Sequence, residues 1–223
     1  MALADFIRCC QTCIPLRDEL FSSKPYREGG PAMQIDVSRK LFTVDDYYKM
    51  LDAGILQKGD RVELISGEIL QMSPIGSRHA ATVYCIDSTL KIALGSLGMV
   101  RIQLPVRIDD FNEPEPDIAV VPARPDMYVT AHPEASDTLL VVEVSDRTLT
   151  FDRTVKAHLY AIAGVAEYWI ADLKNDQMIV HRDPEGDTYK TVKSLSGADE
   201  IAPLAFPDAR FVARELLPRP SDR

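Results

Sequence analysis

The run Thr138-Leu139-Leu140-Val141-Val142-Glu143-Val144 decides how this chain folds. Four apolar residues in succession, resumed by valine after one acid, leave no alternating wet face, so the segment predicts a strand at the centre of a sheet covered on both sides. Glu143 is then an ionisable group inside an apolar strand. Burying it is costly unless it is paired or holds a metal ion.

Working outward, Asp117-Ile118-Ala119-Val120-Val121 is a second short apolar strand, entered through Glu113-Pro114-Glu115-Pro116. On the other side, residues 151–163 predict a helix with Val155, Leu159 and Ile162 inward, closed by Gly164. Strands follow at Glu167–Ala171, Met178–His181 and Thr188–Val192, with a turn at Lys174-Asn175-Asp176 and a proline-punctuated C-terminus. Trp169 and Tyr168 alternate within their strand and read as core packing rather than base-stacking platforms.

Towards the N-terminus, Ser77 to Leu97 predicts a helix whose stripe is Val83, Ile86, Leu90, Leu94 and Leu97, with Gly98 at its end. Met99–Leu104 and Val106–Ile108 read as strand, with Pro105 marking an edge or a bulge. Arg61–Ile65 and Glu68–Met72 alternate about Ser66-Gly67 and predict a hairpin. Thr43 with Asp46 forms a capping-box-like start for a short helix that Gly54 closes. The fold class is therefore mixed α/β, a central mixed β-sheet flanked by helices. Residues 1–35 read as a poorly packed extension ending in Gly29-Gly30-Pro31, residues 36–218 as one domain, and 219–223 as a tail.

Composition restricts the function classes. The 223 residues are 46% hydrophobic and 26% charged, which suits one globular domain with a sizeable core. Nothing approaches the roughly 20 apolar residues that span a bilayer, and the N-terminus lacks the ordered zones of a signal peptide, so a cytoplasmic protein is expected, without a membrane partner. Cys9, Cys10 and Cys13 crowd the N-terminal extension while Cys85 stands alone. No second Cys or His set follows at zinc spacing, so these read as reduced thiols. Against 34 acids stand 25 Lys and Arg, a formal charge of −9, which argues against a nucleic-acid coat protein but not against an enzyme with local phosphate contacts.

The chemistry lies in an acid on each of two linked strands, followed by a lysine on the next helix: Asp117, Glu143 and Lys156. Carboxylate oxygens suit hard cations such as Mg²⁺ or Mn²⁺, which polarise a phosphate and generate hydroxide. A nearby amine positions water or stabilises the transition state. Each residue also has a plainer reading: Asp117 as a cap or turn residue, Lys156 as a solvated helix residue paired with Asp152 four positions earlier. Glu63 either adds a carboxylate or orients Lys156, or is the polar face of a hairpin. Asp152 holds Lys156 or caps the helix. His79 contacts phosphate or shuttles a proton, or is a hydrogen-bonded structural residue.

Several segments taken together resemble the PD-(D/E)XK nuclease superfamily, specifically its bacterial restriction endonuclease family of the Uma-two type. They are Val62-Glu63-Leu64-Ile65-Ser66-Gly67-Glu68-Ile69, Ser73-Pro74 before His79, Pro116-Asp117-Ile118-Ala119-Val120-Val121, Val142-Glu143-Val144-Ser145, Asp152 with Lys156 and Tyr160, and Gly164 to Asp172. The resemblance spans roughly Leu41 to Leu217. It implies a restriction-endonuclease-like fold, metal binding by Asp117 and Glu143, and catalysis by these two with Lys156 and Glu63, supported by Asp152 and His79. Ser145 departs from the superfamily pattern, which has lysine there, and the resemblance implies that Lys156 takes over that function. The expected activity is Mg²⁺- or Mn²⁺-dependent hydrolysis of DNA by a homodimer. The competing expectations are an inactive interaction protein that keeps the fold, and a hydrolase of RNA or a small phosphate ester. No helix-turn-helix, zinc finger or basic stripe that would read bases is visible.

Overall fold

Thr43 begins the first regular element because its hydroxyl accepts from the Asp46 N–H while the Asp46 carboxylate accepts from the Thr43 N–H, a complete capping box. In the computed structural model, residues 38–57 and 59–218 are described. The extension 1–35 with its three cysteines and the tail 219–223 lie outside the described residues. All the elements below belong to the unit Lys40–Arg223.

Helix α1 is Val44–Asp52, followed by the hairpin β1 (Val62–Ile65) and β2 (Glu68–Gln71), then helix α2 (Ser77–Leu94). Strands β3 (Gly98–Ile102), β4 (Ile118–Pro122) and β5 (Leu140–Ser145) come next. Helix α3 is a composite: Leu149–Phe151, a wide π turn over Asp152–Lys156, and Ala157–Ile162. Strands β6 (Glu167–Asp172), β7 (Gln177–Glu185) and β8 (Thr188–Ser196) complete the sheet, and a small pair, β9 (Glu200–Ile201) and β10 (Phe211–Val212), closes the described chain.

Among the described residues six strands form the central sheet, in the order β3-β4-β5-β6-β7-β8. Every neighbouring pair is antiparallel except β5 and β6, which are parallel and joined by the crossover through α3. The sheet is mixed for that reason. Every residue of β5 is buried, as the apolar run Leu139–Val142 predicts. Leu140, Val142 and Val144 pack with Val83, Ile86, Leu90 and Leu94 of α2 and with Trp169 of β6. Val141 packs on the opposite face with Tyr168, Ile170 and the α3 residues Ala157, Tyr160 and Ala161. Glu143 shares the parity of Val141 and so faces α3.

Several boundaries differ from the sequence reading. Helix α2 stops at Leu94 with Gly95 as its cap, so Leu97 lies outside the stripe and is exposed. Gly98 opens β3 instead of ending a helix, and β3 ends at Ile102. Gln103 has a positive φ of 47°, which turns the chain out of the sheet before Pro105, so Val106–Ile108 is a loop joined to Glu134 by a single bridge at Arg107. Strands β7 and β8 are longer than expected, while β9 and β10 are too short to show a period. The largest difference is in α3. Of the three residues expected inward only Leu159 is buried, and the inward face carries Asp152, Lys156 and Tyr160 instead.

Candidate active site

The polar residues singled out above gather where β4 begins and β5 ends. Strands β4 and β5 pair with Ile118 opposite Val142, and continuing that register by one residue sets Asp117 beside Glu143. Accordingly the Asp117 N–H points at Glu143 Oε2 over 3.4 Å, and the Val144 N–H donates to Asp117 Oδ2 at 2.9 Å. His79, in the first turn of α2, places Nε2 3.0 Å from the same oxygen. Gln103 donates to the other oxygen, Oδ1, at 3.1 Å. Asp117 is thus held from three elements. Burial works to raise its carboxyl, but the contacts from His79, Val144 and Gln103 prevail and keep it below the usual carboxylate range.

Lys156 ends the π turn and reaches back to the sheet. Its ammonium donates to Glu143 Oε1 at 2.8 Å and lies 3.1 Å from Glu63 Oε2 of the hairpin. All three residues are 6% exposed or less, so the reading of Lys156 as a solvated helix residue is overturned, as is that of Glu63 as the wet face of a hairpin. Asp152 does not pair with Lys156. Its Oδ2 accepts from Ser145 Oγ and Thr148 Oγ1, both at 2.6 Å, so Ser145 anchors the start of α3 to the sheet. Tyr160, one turn beyond Lys156, donates to Glu143 Oε1 at 3.2 Å.

These contacts define an electrostatic imbalance. Glu63 and Glu143 share one ammonium, Lys156, while Asp117 and Asp152 line the same cleft, so among these clustered residues carboxyl groups outnumber ammonium groups. Burial pushes the Glu143 carboxyl up to about 8 while Lys156 pulls it down. Burial also opposes the charge on Lys156, but the surrounding carboxylates outweigh it and hold the ammonium well above its ordinary range. A further cation would relieve the excess. The oxygen inventory shows where: Glu143 Oε1 already accepts from Lys156 and Tyr160, whereas among the described residues Oε2 has only the long contact to Asp117 and Asp117 Oδ1 accepts once. Among the described residues no three His, Cys, Asp or Glu side chains form a metal-holding group on their own. Two carboxylates with remaining positions for water and phosphate suit Mg²⁺, which binds in that manner rather than in all-protein cages.

Asp117, Glu143, Lys156, Glu63 and His79 all line one cleft of about 620 Å³. Its rim carries Arg61 and Arg147, and its walls Ile75 and Phe151. A separate hollow of about 680 Å³, bordered by Tyr48, Tyr128 and His132, contains none of the clustered groups. Two residues of the cluster went unrecognised as site residues. Tyr160 could have been found from the four-residue steps Asp152, Lys156, Tyr160 along one helix face. Gln103 gives no such signal, because its contact depends on the turn after β3.

Comparisons with a family model and with a solved structure bear on this site. A family model described as "Putative restriction endonuclease" (Uma2) matches residues 44–215. A crystal structure described as "a putative nuclease belonging to DUF820" from Anabaena variabilis ATCC 29413 superposes with a TM-score of 0.60 at 16% identity, covering 79% of this chain and 97% of that one. No curated protein matches the chain.

Proposed function

Because this chain belongs to the Uma2 restriction endonuclease family, we propose that it is a Mg²⁺- or Mn²⁺-dependent endonuclease hydrolysing DNA phosphodiester bonds at the Asp117–Glu143–Lys156 cluster. The observation that carries this reading is the convergence of two buried carboxylates and one buried ammonium, from the residue before β4, from β5 and from α3, in a single cleft. Asp117 and Glu143 hold the cation. When bound, that ion supplies charge neutralisation to the phosphate and acidity to a water molecule. His79, Val144 and Gln103 fix the Asp117 carboxylate, and Tyr160 fixes that of Glu143, so the donor oxygens need no reorganisation at the moment of reaction.

Lys156 acts at the attacking side. Its ammonium orients the incoming water and offsets negative charge gathering on the phosphate oxygens. In the hydrolysis a bond forms from the water oxygen to phosphorus as that water gives up a proton to solvent, the phosphorus–oxygen bond to the departing sugar breaks, and the leaving oxygen takes a proton from solvent. Glu63 holds the ammonium, and Asp152 anchors its helix to β5 through Ser145.

The test is cleavage of single-stranded and duplex DNA of varied sequence by the purified full chain with Mg²⁺ or Mn²⁺. Wild type is expected to cut, chelator to abolish cutting, and Asp117→Asn and Lys156→Gln each to lower the rate at least about 100-fold, the scale of losing a group that acts mainly in the transition state. Absence of cleavage on every DNA substrate, or full activity in both variants, overturns the proposal. A parallel RNA arm separates DNA from RNA as substrate.

A further inference from the structure

Lys156 belongs to two carboxylates at once. It stands 2.8 Å from Glu143 Oε1 and 3.1 Å from Glu63 Oε2, and at 4% exposure water cannot replace either partner. A divalent cation arriving at Glu143 would therefore meet an ammonium already there. Two cations on one buried carboxylate repel strongly in a medium of low polarity, while a lysine sent out to solvent would have to leave its packed position. Glu63 removes the conflict, because the ammonium can shift its weight to Glu63 without leaving the interior. The hairpin is held in place: Glu63 Oε2 accepts from the Glu115 N–H at 3.3 Å, and the Glu113 N–H donates to the Leu64 carbonyl at 2.8 Å, so Glu63 is tied to the segment that leads into Asp117. Asp152 Oδ2 is committed to Ser145 and Thr148, whereas Glu63 Oε2 already stands 3.1 Å from the ammonium, which makes Glu63 the nearer acceptor.

We infer that Lys156 is the resident counter-ion of Glu143 in the cation-free protein, and that Glu63 is a positioning residue which receives its ammonium when a divalent cation claims Glu143. Glu63 thereby sets the affinity of the cation site without touching the cation. The inference rests on the proposed cation site, and its test keeps the two apart.

Mn²⁺ binding to the full chain without nucleic acid is measured by titration calorimetry in wild type, Glu63→Gln, Lys156→Gln and the double variant. Lys156→Gln removes the rival cation and should bind Mn²⁺ about tenfold more tightly, Glu63→Gln should bind about tenfold more weakly, and in the Lys156→Gln background Glu63→Gln should change affinity less than about threefold. Equal weakening by Glu63→Gln in both backgrounds would mean that Glu63 acts on the cation directly and overturns the inference, as would unchanged affinity in Glu63→Gln. No binding by wild type removes the cation site itself, and with it the proposed function. Should Lys156→Gln not fold, NMR of the Lys156 ammonium decides: Mg²⁺ is expected to shift its signal in wild type, and a signal that stays in place shows that the lysine never left Glu143.

Discussion

A buried lysine between two glutamates is a poor way to gain stability. Taking the charges from water costs several kcal/mol per ion, and an apolar set of equal shape is often as stable or more so. The Lys156–Glu143–Glu63 arrangement therefore makes more sense as a charge reservoir for the proposed chemistry than as a structural staple. His181 is the contrasting case. It is 5% exposed and packs between the rings of Tyr168 and Tyr189, at 5.3 and 5.7 Å, and its Nδ1 is without a hydrogen-bond partner among the described residues. Burial pushes its pKa down to about 4 from the ordinary 6.5. A histidine depressed in the folded state contributes stability that is whole above about pH 6.5 and is lost as pH falls through about 4, because the unfolded chain takes up the proton first. The urea midpoint should therefore fall between these pH values in wild type and fall less steeply in His181→Phe. Parallel curves for the two proteins would show that His181 does not carry the effect.

Elements whose burial follows from apolar pattern alone are the ones the sequence makes legible. The run around Val141 announces a central strand, the stripe Val83 to Leu94 announces α2, and an acid inside an apolar strand marks Glu143 as a candidate. Helix α3 defeats the same reasoning. Its inward face holds Asp152 and Lys156, whose burial is compensated by Ser145, Glu143 and Glu63 from elsewhere in the chain, so an apolar period misses a face that only the four-residue steps of polar residues mark. The hairpin β1–β2 has a legible turn with a consequence for the site. Ser66 and Gly67 both have positive φ, 52° and 72°, and a Cβ on Gly67 would stand 2.7 Å from Leu41 Cβ. Gly67→Ala should cost about 2 kcal/mol and lower the thermal midpoint by roughly 4–8 °C. Because the strained hairpin carries Glu63, Mn²⁺ affinity should drop as well. Gly186→Ala, at φ +62° with nothing within 4 Å, is the control: it should lose less stability and bind Mn²⁺ like wild type. Equal losses of affinity in both would detach the hairpin from the site.

At the scale of the whole molecule, a formal charge of −9 must be reconciled with a polyanionic substrate. The cleft offers few cations: Lys156 is committed to Glu143 and Glu63, Arg61 donates to the Ser73 carbonyl at 2.9 Å, and Arg147 is exposed at the rim. On the proposed function, recognition would lean on a cation held at the cluster and on a small number of phosphate contacts. That gives a definite salt dependence. If Arg61 and Arg147 neutralise two phosphates, the logarithm of the binding constant for duplex DNA should fall with the logarithm of salt at a slope of roughly −2, far shallower than for proteins with an extended basic face. The measurement is fluorescence anisotropy of a labelled oligonucleotide with the hydrolysis-deficient Lys156→Gln chain, which keeps both proposed cation ligands, at constant Mg²⁺ and rising KCl, repeated with Arg147→Ala added, which should reduce the slope by about 1. A slope steeper than about −5 would place most contacts outside the cleft, on a surface that the cluster around Glu143 does not reach.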